Sequence, residues 1–213
     1  MSKLDNNSYS ADKKILARIY GHKRGWVFTP DDFKGLGTRN AVASALKRHK
    51  QVGLIRQLAR GLYDYPRMDD TLGALSASSD DIATALAGRD ALRLQPSGAY
   101  AANLLGLSTQ VPMKIVYLTD GRSRTVQVGQ RQIILKQTSP RHMATAGRIS
   151  GLVIQALRYL GPDHVDEAVI AKLDQRLDEA ARKLLVKDIR YAPEWIAAIF
   201  RDLSEGTGNE PVC

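Results

Sequence analysis

Apolar residues recur at helical spacing toward both ends of this chain and at strand spacing in its middle. Ile15 and Ile19 form one row with Leu16 and Tyr20 beside it, which predicts a helix from Ser10 to Gly21 with Ser10 as its cap. Trp26-Val27-Phe28 reads as a short strand. Thr29 and Pro30 then open a short helix that buries Phe33 and Leu36, since proline at the first helical position gives up no hydrogen bond. Gly37 permits a tight bend, and Thr38 caps a second helix whose inner face is Val42, Ala45 and Leu46. Gly53 closes that helix. Leu54 to Leu58 and Gly61 to Tyr65 follow as two strands, with Ala59-Arg60-Gly61 at the tip. This order of elements is a helix-turn-helix followed by a hairpin, the winged form of a motif whose second helix enters the major groove of DNA.

Beyond Pro66 the pattern changes. Arg67 to Ser79 is poor in large apolar residues and reads as a link. Asp80 is placed to cap a helix running to Gly88, Leu92-Arg93-Leu94 reads as a strand ending before Pro96, and Ser97 as the cap of a helix running to Leu105. Lys114–Thr119, Arg124–Val128 and Gln132–Gln137 are β-branched runs, which predict a three-stranded antiparallel sheet with a tight hairpin at Gly129. From Ile149 the spacing is helical to the end. One stripe runs from Ile149 to Leu160 and stops at Gly161-Pro162. Others run from Val165 to Leu177 and from Ala181 to Ile189, and a last one, starting at Pro193, carries Trp195, Ile196, Ile199, Phe200 and Leu203. The tail from Gly206 to Cys213 reads as disordered.

Composition narrows the class. The chain has 213 residues, 44% hydrophobic and 25% charged, which is an ordinary globular balance. No apolar run reaches the length of a membrane span. Met1 to Ser8 lacks the apolar core of a signal peptide. The single cysteine, Cys213, allows no internal disulfide. Together these predict a cytoplasmic protein. The net charge is +9, and its distribution is uneven: residues 1–66 carry +8, residues 67–149 carry +4 and residues 150–213 carry −3. The excess therefore falls on the segment with the helix-turn-helix pattern. Lysine and arginine contacts to phosphates dominate nucleic-acid affinity, so a DNA-binding head needs this asymmetry. A solubility surface would not.

Catalytic and metal motifs are missing. The four histidines, His22, His49, His142 and His164, are scattered without metal-ligand spacing. There is no phosphate loop and no nucleophile elbow. Asp69-Asp70 and Asp80-Asp81 read as linker charges or helix caps rather than as metal ligands. Lys136 follows Ile134 where a restriction-type nuclease would need an acid. No cofactor is expected and no enzymatic activity. The candidate DNA contacts are Arg39, Asn40, Ser44, Lys47 and Arg48 on the outer face of the second helix, with Arg56 and Arg60 on the wing. Arginine pairs bidentately with guanine, asparagine with adenine, and serine with a base or a phosphate.

Several stretches together carry a resemblance: Trp26-Val27-Phe28-Thr29, the basic helix from Thr38 to Arg48, Gly53-Leu54-Ile55, and Arg60-Gly61-Leu62-Tyr63-Asp64-Tyr65-Pro66. With Gly147-Arg148 and Ala156-Leu157-Arg158-Tyr159-Leu160-Gly161 further on, the chain resembles the AbiEi-type antitoxins of type IV toxin–antitoxin systems. The resemblance implies a repressor that binds inverted repeats in its own promoter and counteracts a neighbouring nucleotidyltransferase-like toxin through its C-terminal domain. It implies no catalysis.

The expectation is an α+β protein: a winged helix-turn-helix domain over residues 8–66, then a mixed α+β domain over residues 80–204 with a small antiparallel sheet and C-terminal helices. Its partners are double-stranded DNA and a cognate toxin. A stand-alone transcription regulator, an RNA-binding regulator and a nucleic-acid-processing enzyme remain as alternatives. Trp195, Ile199 and Phe200 are read either as a partner-binding face or as closure of the second core.

Overall fold

The computed structural model describes residues 3–88 and 93–205, with side chains from residue 11. The Gly206–Cys213 tail, Leu92 and the Ser10 side chain lie outside that range. The protein is α+β, and its contacts divide it into two compact units near residue 90: Met1–Asp90 with Val126–Gln130, and Ala91–Thr125 with Arg131–Cys213.

The first unit follows the winged-helix order. Helix α1 (Lys3–Gly21) is followed by strand β1 (Val27–Phe28), a 3₁₀ turn (Pro30–Phe33), helix α2 (Arg39–Gln51) and strands β2 (Arg56–Ala59) and β3 (Leu62–Asp64). The strands form one sheet in the order β1-β3-β2, all antiparallel, with Val27 opposite Asp64 and Arg56 opposite Asp64 on the other side. Ile15, Ile19, Phe28, Phe33, Val42, Ala45, Leu46 and Ile55 fill the core between the helices and the sheet. Their spacing explains why α1 and α2 each bury one stripe.

Three local expectations need correction here. Helix α1 begins at Lys3, so Ser10 sits inside it rather than capping it. The first helix of the helix-turn-helix is only a 3₁₀ turn, held by the Thr29 N–H donating to Asp32 Oδ2 at 2.8 Å. Gly37 is not the bend. Gly35 takes the left-handed conformation, at φ 86°. Gly37 instead lets two elements approach: a Cβ there would lie 2.9 Å from the Ala11 Cβ on α1. The α2 caps do match the sequence. Thr38 Oγ1 accepts from the Ala41 N–H at 3.2 Å. At the other end Gly53 has φ 73°, its N–H donates to Lys50 O, and the Leu54 N–H donates to His49 O. That pair of bonds is the Schellman arrangement.

The segment after Pro66 is not an unstructured link. Met68–Asp69 (β4) and Gly73–Ala74 (β5) pair as a small hairpin. Asp69 Oδ1 accepts the N–H groups of Leu72 and Thr71, which hold its carboxyl below the usual carboxylate range. Helix α3 (Ser79–Ala87) is capped by Ser78, not Asp80, with Ser78 Oγ accepting from the Asp81 N–H at 3.0 Å. It packs against β1 and so belongs to the first unit instead of opening the second.

Strands β6 (Leu94–Ser97), β7 (Lys114–Thr119), β8 (Arg124–Val128, grouped with the second unit only up to Thr125) and β9 (Arg131–Gln137) form one sheet in the order β6-β7-β9-β8. The expected three-stranded antiparallel sheet is therefore a four-stranded mixed one: β7 and β9 run parallel, and β6 adds antiparallel to β7. The hairpin at Gly129 inserts β9 between β7 and β8. Residues 120–123 then cross two strand spacings, roughly 10 Å, which four residues span easily. Strand β6 runs through Pro96, opposite Tyr117, and an edge strand tolerates the missing N–H. Gly98, not Ser97, caps helix α4 (Ala99–Leu104), while Ser97 Oγ donates to Gln155 Oε1 at 3.0 Å.

Helix α5 (Ile149–Leu160) is the centre of this unit, with seven buried residues, and it packs on β6 and α4. Helices α6 (Glu167–Arg176), α7 (Glu179–Asp188) and α8 (Glu194–Glu205) complete the core with Leu173, Leu185, Ile196 and Phe200. Phe200 is fully buried, and Trp195 and Ile199 pack against the same cluster. Of the two readings of these residues, core closure is the one observed.

Candidate nucleic-acid interface

Helix α2 is amphipathic because its buried residues recur at helical spacing. Val42, Ala45, Leu46 and His49 are buried, and Arg39, Asn40, Ala43, Ser44, Lys47, Arg48, Lys50 and Gln51 are exposed. At 100° per residue, Asn40, Ser44, Lys47 and Gln51 make the outermost row. Arg39, Ala43 and Lys50 form the edge on one side of it, and Arg48 the edge on the other. The helix contains no acidic residue. Among the described residues Arg39, Asn40, Ser44, Lys47 and Gln51 have no side-chain partner, so their donors are open to solvent.

Two of the candidate residues are committed elsewhere. Arg48 Nη2 donates to Asp12 Oδ1 on α1 at 2.7 Å. The same oxygen lies 3.3 Å from the buried His49 Nε2 without hydrogen-bonding it, so it is Arg48 that Asp12 ties toward α1. Arg56 is more firmly held. Its Nε and Nη2 grip the two oxygens of Asp64, directly across the strands, at 3.0 and 2.5 Å. Asp64 is 1% exposed, so it depends on that partner. The hydrogen bond to Asp64 also raises the Arg56 pKa above its ordinary value. The remaining Arg56 donors reach Leu75 O at 2.6 Å and Ala74 O at 3.2 Å, pinning the β5 segment to the wing. Four of the five Arg56 N–H donors are thus spent inside the fold, which makes it a structural staple.

Arg60 stays available. It occupies the two-residue tip between β2 and β3, beside Gly61 at φ 73°, and is exposed without a partner. Of the seven candidates, Arg39, Asn40, Ser44, Lys47 and Arg60 therefore have no partner among the described residues, while Arg48 and Arg56 are each paired with a carboxylate. Sequence reasoning also passed over two residues. Lys50 Nζ donates to Gln57 Oε1 on β2 at 2.9 Å, linking the last turn of α2 to the wing. Helical spacing alone puts Lys50 on the Arg39 edge, so half of that signal was readable. Its strand partner was not.

Each of the four acids between residues 11 and 66 already has a partner: Asp12 is on Arg48, Asp31 on Lys34, Asp32 on the Thr29 N–H, and Asp64 on Arg56. The arrangement is a cationic, hydrogen-bonding ridge with a cation on the adjoining wing. Such a surface attracts phosphates and presents carboxamide, hydroxyl and guanidinium groups to base edges. Among the described residues no three His, Cys, Asp or Glu side chains converge as a metal site requires, and no helix is long and apolar enough to cross a membrane.

No curated protein matches this chain. A family model does match it over residues 14–185, from within α1 to α7, and the chain accordingly belongs to that family, a family of unknown function designated DUF6088.

Proposed function

We propose that the first unit binds double-stranded DNA with α2 in the major groove, and that the chain is a transcriptional repressor without catalytic activity, acting in the cytoplasm on its own promoter. The observation that carries this reading is the outer row of α2. Four polar side chains stand there unpaired, on a helix without a single acid, beside a wing tipped by Arg60. The winged-helix strand order supports it, because that order places α2 and the wing side by side. Asn40 and Arg39, in the first turn, read base edges. Ser44 and Lys47 contact bases or backbone, and Arg60 contacts backbone.

The test is a gel-shift titration of the full chain with the DNA immediately upstream of its own gene and with RNA of equal length. Retardation of the DNA at protein concentrations that leave the RNA free supports the reading. The reverse order would assign RNA as the ligand, and turnover of either substrate with magnesium would make the protein an enzyme. The resemblance to AbiEi-type antitoxins extends the proposal: the second unit neutralises a nucleotidyltransferase-like toxin encoded alongside. Co-expression with that neighbour should restore growth, and a variant with Arg39→Ala and Lys47→Ala should lose repression while keeping rescue.

A further inference from the structure

We infer that Lys50 and Gln57 together hold one phosphate of the DNA backbone in the notch between α2 and the wing, a contact that positions the helix in its groove. The inference rests on the DNA-binding reading above. Lys50 lies in the last turn of α2, on the edge facing β2, and its ammonium is 2.9 Å from Gln57 Oε1. A lysine ammonium has three donors and a glutamine amide two. One of these five is used in the pair, and the other four have no acceptor among the described residues. Neither side chain meets a carboxylate, and both are exposed.

A lone surface lysine is a floppy point charge. Here the carboxamide oxygen fixes where the ammonium stands, which lowers the ordering cost of a further contact. The N–H₂ of the same exposed glutamine has no acceptor among the described residues. The two groups thus present one anion with a charged donor and a neutral donor from two different elements. Arg60, the residue after the irregular Gln57–Ala59 register of the wing, supplies the next cation along the same ribbon. With α2 in the major groove, the strand bordering that groove runs between the helix and the wing. Phosphate contacts there fix register without reading sequence. The plain alternative is a surface hydrogen bond that only steadies the wing.

Salt dependence separates the two. The full chain is titrated with a short mixed-sequence DNA duplex over a series of potassium chloride concentrations. Lys50→Gln should lower the slope of log affinity against log salt by about 0.9, the value of one phosphate contact. Gln57→Leu should weaken binding several-fold and leave the slope unchanged, because it removes donors but no charge. Circular dichroism and urea midpoints of both variants should match the parent. If the parent binds with a clear salt slope and Lys50→Gln retains all of it, this contact does not exist and the DNA-binding reading survives. If the parent binds no duplex at any salt concentration, that reading falls and takes the contact with it.

Discussion

The second unit uses three of its arginines to join its elements, whereas the first unit keeps cations of α2 and the wing without partners. Arg148 Nη1 donates to Asp188 Oδ1 at 2.7 Å, and Ser150 Oγ donates to the other oxygen of that buried carboxylate, tying the start of α5 to the end of α7. Arg182 pairs with Asp174 at 2.7 Å and also donates to the carbonyls of Asp174, Leu177 and Leu203, binding α6, α7 and α8 together. Arg93 pairs with Asp120 at the end of the sheet. In the first unit Arg56 serves the same stapling purpose, but Arg39, Lys47 and Arg60 are left without partners. An arginine on an internal carboxylate contributes to stability. One left bare offers its charge to something else. Partner assignment, not residue type, therefore separates scaffold from interface.

The largest test of this distinction is Arg56→Ala. It leaves the Asp64 carboxylate buried and unpaired. Breaking such a pair costs ~3–5 kcal/mol. Arg56 is a third exposed (33%), so the lower end, about 3 kcal/mol, is expected. Urea denaturation measures it, and a loss below about 1 kcal/mol, the range of surface pairs, would return Arg56 to the interface. Next comes Asp188→Ala in the second unit. It strips the buried Ser150 hydroxyl of its acceptor and should cost ~1–3 kcal/mol of stability. DNA affinity should not change, as competition binding would reveal.

Arg39→Ala or Asn40→Ala should do the opposite. Each should leave the melting temperature near that of the parent and weaken binding to the specific promoter site by ~1–3 kcal/mol, with less effect on random DNA. Equal losses on both DNAs would demote the residue to a phosphate contact. Arg60→Ala should reduce the salt slope by about 0.9 on any duplex. An unaltered slope would place the wing tip away from the backbone. Smallest of all, Arg48→Ala should change either property by less than ~1 kcal/mol, since Arg48 is itself half exposed and its pair with Asp12 is screened by solvent. A specific loss as large as that of Asn40→Ala would show that Arg48 leaves Asp12 to reach the groove.

Sequence alone located most of the helices and strands and the outer face of α2, though not the β4–β5 hairpin. Helical and alternating periods, Thr38, Gly53 and the Arg60-Gly61 tip are local signals, and local geometry follows from them. Charge placement too is linear information, and it marked the first 66 residues. Tertiary structure decided what each element pairs with. The β7–β9 pairing in parallel depends on a crossover that no window of sequence contains, and α3 joins the first unit through packing on β1. Gly37 owes its small size to Ala11, on a different helix. Above all, Arg56 and Arg60 look alike in sequence, as do Lys47 and Arg48. One of each couple is taken by a carboxylate eight or 36 residues away, and the other is not. A side chain's availability depends on which charges the fold brings within hydrogen-bonding distance, and that distance is set by the whole chain.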